Sequence, residues 1–126
     1  MDTSDYCWWK HGVVYQIYPL SFKDASGDGY GDLKGLIEKV PYLSDLGIEA
    51  IWLCPIHPSP WNDFGYDVSD YYSIHPKLGT LKDFQDLIQV CQNNKIKIII
   101  DFVFNHTSTL HPWFKEARLS RKSSKR

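Results

Sequence analysis

A chain of 126 residues, 43% apolar and 23% charged, with a net charge of −1, is long enough for one domain with a core. That balance gives no basic footprint for nucleic acid or an acidic membrane surface, and no stretch approaches the ~20 apolar residues of a membrane span. Cys7, Cys54 and Cys91 lack metal-ligand spacing, and Cys54 and Cys91 sit in apolar stretches that read as buried thiols. The opening Met1-Asp2-Thr3-Ser4-Asp5-Tyr6 has no basic segment and no apolar run, so a reducing cytoplasm is the expected location.

Gly12 to Tyr18 is β-branched and aromatic and reads as a first strand, stopped by Pro19. Next comes Asp24-Ala25-Ser26-Gly27-Asp28-Gly29-Tyr30-Gly31-Asp32. Asp24, Ser26, Asp28 and Asp32 alternate with small residues, a pattern that lets a curled backbone aim oxygens at one point. Gly27, Gly29 and Gly31 are expected to supply the positive-φ turns of that curl. Such hard oxygen ligands suit Ca²⁺, with the Tyr30 carbonyl in the place of position 7 of an EF-hand loop. A true EF-hand is excluded, because position 12 is Gly35 rather than Glu and the segment before Asp24 reads as strand. The alternative is a solvated Asp/Gly turn with Asp32 as a helix N-cap.

Leu33 to Leu46 follows as a helix with Leu33, Leu36, Ile37, Val40, Leu43 and Leu46 on one face, a kink or restart at Pro41, and Gly47 as its stop. Glu49 to Cys54 reads as a second strand ended by Pro55. A long loop, 55–79, leads to Thr80, which starts a helix with Leu81, Phe84, Leu87, Ile88 and Cys91 inward and Asp83 completing the cap. Ile96 to Val103 is a third strand, apolar enough to be buried on both faces as parallel strands are. The tail from Ser120 to Arg126 is basic and polar. The order β-loop-α-β-loop-α-β, with long loops after the strands, places chemistry at the C-terminal ends of parallel strands.

Within the second of those loops, Asp63 and Tyr66 pair a carboxylate with an aromatic face, a combination suited to sugar hydroxyls and the C–H face of a pyranose. A polar turn with Tyr66 packed as a lid is the plainer alternative. At the third strand's end, alternation puts Asp101, Val103 and Asn105 on one side, so His106 needs a bend to join Asp101. An acid at the edge of a buried strand needs a partner. An ordinary strand terminus, with His106 bonded to the backbone, fits equally.

From about Trp8 to Arg118 the chain resembles the α-amylase family of glycoside hydrolases, in its oligo-1,6-glucosidase and α-glucosidase branch. The resemblance rests on Val14-Tyr15-Gln16-Ile17-Tyr18-Pro19, Gly27-Asp28-Gly29, Gly65-Tyr66-Asp67, Asp101-Phe102-Val103-Phe104-Asn105-His106 and His111-Pro112-Trp113-Phe114. It implies an α/β fold, the N-terminal part of a (β/α)8 barrel comprising about three βα units and truncated, in which Asp24, Ser26, Asp28, Tyr30 and Asp32 hold a structural Ca²⁺. Asp63, Tyr66 and His106 would bind the non-reducing-end glucose, and Asp101 would support catalysis by orienting an Arg beside the nucleophile. Members are retaining enzymes with an Asp nucleophile after the fourth strand and a Glu acid/base after the fifth, so no catalytic residue is expected within these 126 residues. The expected partner is an α-glucoside oligosaccharide of maltose or isomaltose type, with no nucleic acid, membrane or obligate protein partner. Three rivals stand beside this reading. They are a non-catalytic homologue such as a transporter heavy chain, a glucosyl transferase or isomerase such as trehalose synthase, and a nucleotide-binding βαβ domain. The last would want a phosphate loop whose glycines are not interleaved with Asp.

Overall fold

The computed structural model describes residues 5–119, so the basic tail read at 120–126 lies outside the described residues. Its elements run α1 (Trp8–His11), β1 (Val14–Ile17), α2 (Pro19–Phe22), α3 (Leu33–Asp45), β2 (Ala50–Leu53), α4 (Leu81–Asn93), β3 (Lys97–Ile100) and α5 (Pro112–Leu119). The strands form one parallel sheet in the order β1-β2-β3. Tyr15 stands beside Ile51 and Ile51 beside Ile98, while Gln16, Trp52 and Ile99 share the next rung. All three strands lie where the β-branched runs predict them, each shorter by a residue or more at its ends.

One face of the sheet carries the core. Ile17, Ile51 and Leu53 meet Leu33, Leu36, Val40 and Leu43 of α3 and Leu87 and Cys91 of α4. Alternation assigns Val14, Gln16, Trp52 and Ile99 to the other face. That face is open: Val14, Trp52 and Ile99 are 41%, 37% and 36% exposed. The reading of β3 as buried on both faces is therefore corrected. Among the described residues β3 pairs with β2 alone, and Ile98 packs on the core while Ile99 and Ile100 do not.

The helix starts follow local chemistry. Asp32 caps α3, its Oδ1 accepting the Gly35 amide at 2.6 Å. Thr80 and Asp83 form the reciprocal capping box of α4, with Asp83 N–H to Thr80 Oγ1 at 3.1 Å and Thr80 N–H to Asp83 Oδ2 at 2.8 Å. Gly47 ends α3 in the left-handed region, at φ 79°. Leu46 and Leu81, expected inward, are 52% and 55% exposed because they fall at helix ends, beyond the buried stripe. Pro41 does not restart the helix, which runs unbroken from Leu33 to Asp45. Pro41 is exposed, so water can serve the Ile37 carbonyl that its ring cannot pair with, while Val40 and Leu43 hold the flanking turns in the core. The segment before Asp24 is the short helix α2, not strand. Pro19 both stops β1 and occupies the first turn of α2, where its missing N–H costs nothing.

Thr80→Ala removes both hydroxyl bonds to Asp83, the one accepted from its amide and the one donated to its carboxylate, and is expected to cost about 1 kcal/mol of stability, read as a lower urea midpoint at unchanged slope. The open face and the unpaired edge of β3 should make the isolated chain self-associate or stay loosely packed, with dye-accessible apolar surface. A sharp monomer peak in size-exclusion chromatography with strong near-UV circular dichroism would contradict that expectation.

Candidate functional site

Parallel strands end together, so the loops after β2 and β3 meet on one side of the sheet. The Asp101 amide still continues the ladder, donating to the Leu53 carbonyl at 3.0 Å. Its carboxylate then accepts the Tyr66 hydroxyl at 2.8 Å. His106, beyond a bend at Asn105, meets Tyr66: its Nε2 lies 3.0 Å from the Tyr66 carbonyl, and its Nδ1 lies 3.3 Å from the Asn105 side-chain amide. Tyr66 is thus the hub: its ring end is fixed by Asp101 and its backbone by His106. Partial burial and the bond to Asp101 push the Tyr66 hydroxyl far above the ordinary tyrosine range, so it stays a proton donor. The His106 bond to backbone is the feature of the plainer alternative, yet it joins residues 40 apart in the chain and leaves the ring exposed.

Asp63 is exposed, and its side chain has no hydrogen-bond partner among the described residues. Its position is set by a neighbour that sequence reasoning quoted only within a motif. Asp67 accepts the Ser59 hydroxyl at 2.6 Å and the amides of Asn62 and Asp63 at 3.1 and 3.2 Å. Partial burial raises the Asp67 carboxyl, but those donors outweigh it and hold it below the ordinary aspartate value. The loop also keeps Trp61 and Phe64 in the left-handed region at φ 56° and 53°, uncommon for bulky residues. Trp61 is stacked on His75, ring centroids 3.9 Å apart and planes 18° apart. His75 Nδ1 accepts the Lys77 amide at 3.1 Å, which leaves Nε2–H to donate to the Ser59 carbonyl at 3.2 Å. Burial holds His75 below its ordinary value.

The Asp24–Asp32 loop is organised around its own amides. Asp24 Oδ1 accepts Gly27 N–H at 2.7 Å and the Ser26 hydroxyl at 3.1 Å, and Oδ2 accepts Gly29 N–H at 2.8 Å. The Gly29 and Gly27 amides hold the Asp24 carboxyl below its ordinary value. Asp32 Oδ2 gathers the Ala25 and Ser26 amides at 3.2 and 3.1 Å, and Asp28 Oδ1 accepts Tyr30 N–H at 2.9 Å. Lys77 Nζ sits 3.6 Å above the Tyr30 ring. Among the described residues no three Asp, Glu, His or Cys side chains converge to hold an ion. The oxygens suit a hard cation, but ligation would require Asp24 and Asp28 to turn from these amides to a common point. Gly31 serves this loop differently from expectation. Gly27 and Gly29 take positive φ, whereas Gly31 is required because a Cβ there would lie 2.1 Å from the Pro19 carbonyl oxygen. At Gly35 a Cβ would lie 2.0 Å from the Lys23 carbonyl oxygen, which accounts for glycine at the former position 12.

Two further groups carried no separate signal in the sequence. The Tyr71 hydroxyl lies 2.9 and 2.8 Å from the Val103 and His106 carbonyls and staples the loop after β3 to the loop after β2. Buried Cys54 accepts the Gln16 side-chain amide at 3.4 Å. Only the long-range fold brings these partners together, so no local pattern could have marked them.

Compared with known proteins, residues 16–126 match the alpha amylase catalytic domain. An alpha-glucosidase of Schizosaccharomyces pombe is 55% identical over 119 residues, 94% of this chain and 21% of that protein. A probable oligo-1,6-glucosidase 2 of Bacillus subtilis is 51% identical over 119 residues, with the same shares of 94% and 21%. A crystal structure of Bacillus licheniformis trehalose-6-phosphate hydrolase superposes with a TM-score of 0.90 at 54% identity, over 94% of this chain and 21% of that one. The chain therefore spans about a fifth of the length of the curated relatives it matches. Its parallel sheet, with α3 and α4 on one face, corresponds to the N-terminal part of the family's (β/α)8 barrel. By its matched residues and its fold, this chain belongs to the alpha-amylase catalytic-domain family.

Proposed function

We propose that the chain forms the glucose-binding part of a retaining α-glucosidase-type glycoside hydrolase acting on maltose- or isomaltose-like α-glucosides. The observation that carries the reading is the convergence of Tyr66, Asp101 and His106, across two loops, at the C-terminal ends of parallel strands. Asp63 offers an exposed carboxylate to sugar hydroxyls and Tyr66 a ring face, while His106, whose Nε2 and Nδ1 face the Tyr66 carbonyl and the Asn105 side-chain amide, would reach a sugar hydroxyl only by exchanging one of those partners. Asp101 acts by orienting its neighbours, Tyr66 here and an Arg beside the nucleophile in a complete site. Retention needs two carboxyl groups ~5–5.5 Å apart across the scissile bond, one as nucleophile and one as acid/base. In this reading neither is contributed by these residues. A glucosyl transferase or isomerase is the second reading, favoured by a TM-score of 0.92 and 47% identity to a trehalulose synthase structure.

The purified chain should give no turnover of an aryl α-glucoside, and turnover abolished by Asp63→Ala would overturn the assignment of the bond-breaking groups. In a protein that carries the complete barrel, Asp63→Ala should lower kcat/KM for an aryl α-glucoside about tenfold or more at little change in melting temperature, since a hydrogen bond involving a charged group is worth ~1.5–3 kcal/mol, and His106→Ala should lower it as well. Unchanged kcat/KM with a lowered melting temperature would assign both residues to structure instead.

A structural Ca²⁺ held by Asp24, Ser26, Asp28, Asp32 and the Tyr30 carbonyl is part of the same proposal. It is supported by the density of hard oxygens in the loop, contributed by Asp24, Ser26, Asp28 and Asp32. A cation that binds only the native state raises stability by RT ln(1 + [L]/Kd). Millimolar Ca²⁺ should therefore raise the melting temperature, and Asp28→Ala should erase the rise. Identical melting with Ca²⁺ and with chelator would leave the loop as the amide-satisfied turn described above.

A further inference from the structure

The open face of the sheet is covered at one point. Val14 and Trp52 on that face are 41% and 37% exposed, whereas Cys54, two residues beyond Trp52 on the same side, is 6% exposed. The strand register places its neighbours. Ile17, Leu53 and Ile100 share the last rung of the ladder, so Tyr18, Cys54 and Asp101 stand side by side one residue further on. The Cys54 amide donates to the Ile17 carbonyl at 2.9 Å and the Asp101 amide to the Leu53 carbonyl at 3.0 Å, which carries the pairing through that rung. From β1 the Gln16 side-chain amide donates to Cys54 Sγ at 3.4 Å. On the other side, Asp101 accepts the Tyr66 hydroxyl at 2.8 Å. The thiol therefore sits between the Gln16 amide and the Tyr66–Asp101 pair, and the glucose site as described makes no use of it.

We propose that Cys54 is a positioning residue for Tyr66: with its sulfur occupied by the Gln16 amide, its S–H is left to support the Tyr66 oxygen and keep that hydroxyl on Asp101. The inference rests on the reading of Tyr66 as part of a glucose site. A tyrosine that has given its proton to Asp101 can still accept a hydrogen bond at its oxygen, and a thiol that has accepted at sulfur still has its S–H to give. Gln16, Cys54, Tyr66 and Asp101 then form one run in which each group donates to the next, and such runs strengthen link by link. The hold on the Tyr66 proton agrees: after burial and the Asp101 bond, Cys54 pushes it further up. Burial and Cys54 also push the Tyr18 hydroxyl up, so the thiol is felt by the tyrosines on both sides.

The test uses a protein that carries these residues within the complete barrel and follows kcat/KM for an aryl α-glucoside. Cys54→Ser keeps an acceptor and a donor at the same place and should hold kcat/KM within about twofold. Cys54→Ala keeps neither and should lower it about fivefold, the size of one neutral hydrogen bond. Because the loss acts through the Tyr66 hydroxyl, Cys54→Ala should cost nothing further in a Tyr66→Phe background. A second readout needs no turnover. Tyr66→Ala should open Cys54 to iodoacetamide in the native protein, read by mass spectrometry on the peptide bearing Cys54, while Asp63→Ala should leave it protected. Cys54→Ala at full kcat/KM would overturn the proposal. An equal loss from Cys54→Ala in both backgrounds, or a Cys54→Ser as impaired as Cys54→Ala, would make the thiol a packing group and overturn it too. If Cys54→Ala fails to fold, Cys54 staying protected in Tyr66→Ala would overturn the proposal on its own. Cys54 newly alkylated in Tyr66→Ala, with Asp63→Ala at full kcat/KM, would keep the contact with Tyr66 and reject the glucose site.

Discussion

Parallel pairing obliges β1, β2 and β3 to finish on the same side of the sheet, and nearly everything chemical in this chain follows from that. A parallel connection has to travel back the length of a strand, and α3 and α4 make those return journeys. The helices bury one face of the sheet, so the outgoing segments are less tightly constrained, although the one after β2 still sends Ile56, Ile74 and Leu78 into the core. Such segments lengthen into loops and collect polar residues. Asp101 stands where one regime gives way to the other: its amide still belongs to the ladder, and its carboxylate already belongs to the site.

The second loop leans on the main core through Ile56, Ile74 and Leu78, and carboxylates gather the main-chain donors that core contacts leave unpaired. Asp24 and Asp32 gather the amides of the first loop, Asp67 those of the second, and Asp70 the Tyr72 amide and the Ser73 hydroxyl. An ionised carboxylate accepts several N–H groups at once and forms stronger bonds than a neutral acceptor. The device satisfies backbone donors that no secondary structure pairs, and it fixes left-handed residues such as Trp61 that a slack loop would avoid. The acidic character of these loops therefore has a mechanical reading beside the ligand-binding one. The first loop shows the two readings competing for the same oxygens.

The three strands, the starts of α3 and α4 and the stop of α3 were legible because each has a local cause, whereas α2 was read as strand and α1 and α5 were not read. Alternating or continuous apolar runs, Asp32 and Thr80 before helices, and Gly47 after one need no knowledge of the rest of the chain. Asp63, Tyr66, Asp101 and His106 were legible as candidates because their chemistry stands out against their surroundings. Their convergence was not. Tyr66 meeting Asp101 depends on how a 25-residue loop, 55–79, folds back over β3. Burial at β3 was overread because an apolar run reports what a strand prefers, not what lies beside it. Gly31 was misjudged for a related reason: a glycine can be needed for its backbone angle or for the space a neighbour takes, and sequence does not distinguish the two. Asp67 went unremarked because its donors are two main-chain amides, which leave no trace in residue identity, and a Ser59 hydroxyl eight residues away that the loop alone brings to it.

The Trp61–His75 stack ties the loop bearing Asp63 to a proton equilibrium. His75 is held in one neutral tautomer by the Lys77 amide and the Ser59 carbonyl, and burial keeps its folded value below the ordinary 6.5. Below 6.5 the unfolded chain takes up a proton that the folded chain still refuses, so stability declines as pH falls from there toward the folded value. The added proton would have to sit on Nδ1, where it meets the Lys77 N–H head on. Acid would therefore be felt first where His75 props the Trp61 ring, loosening the loop before the sheet beneath it. The loop bearing Asp63 is in that sense coupled to acid through His75 and not through its own carboxylate.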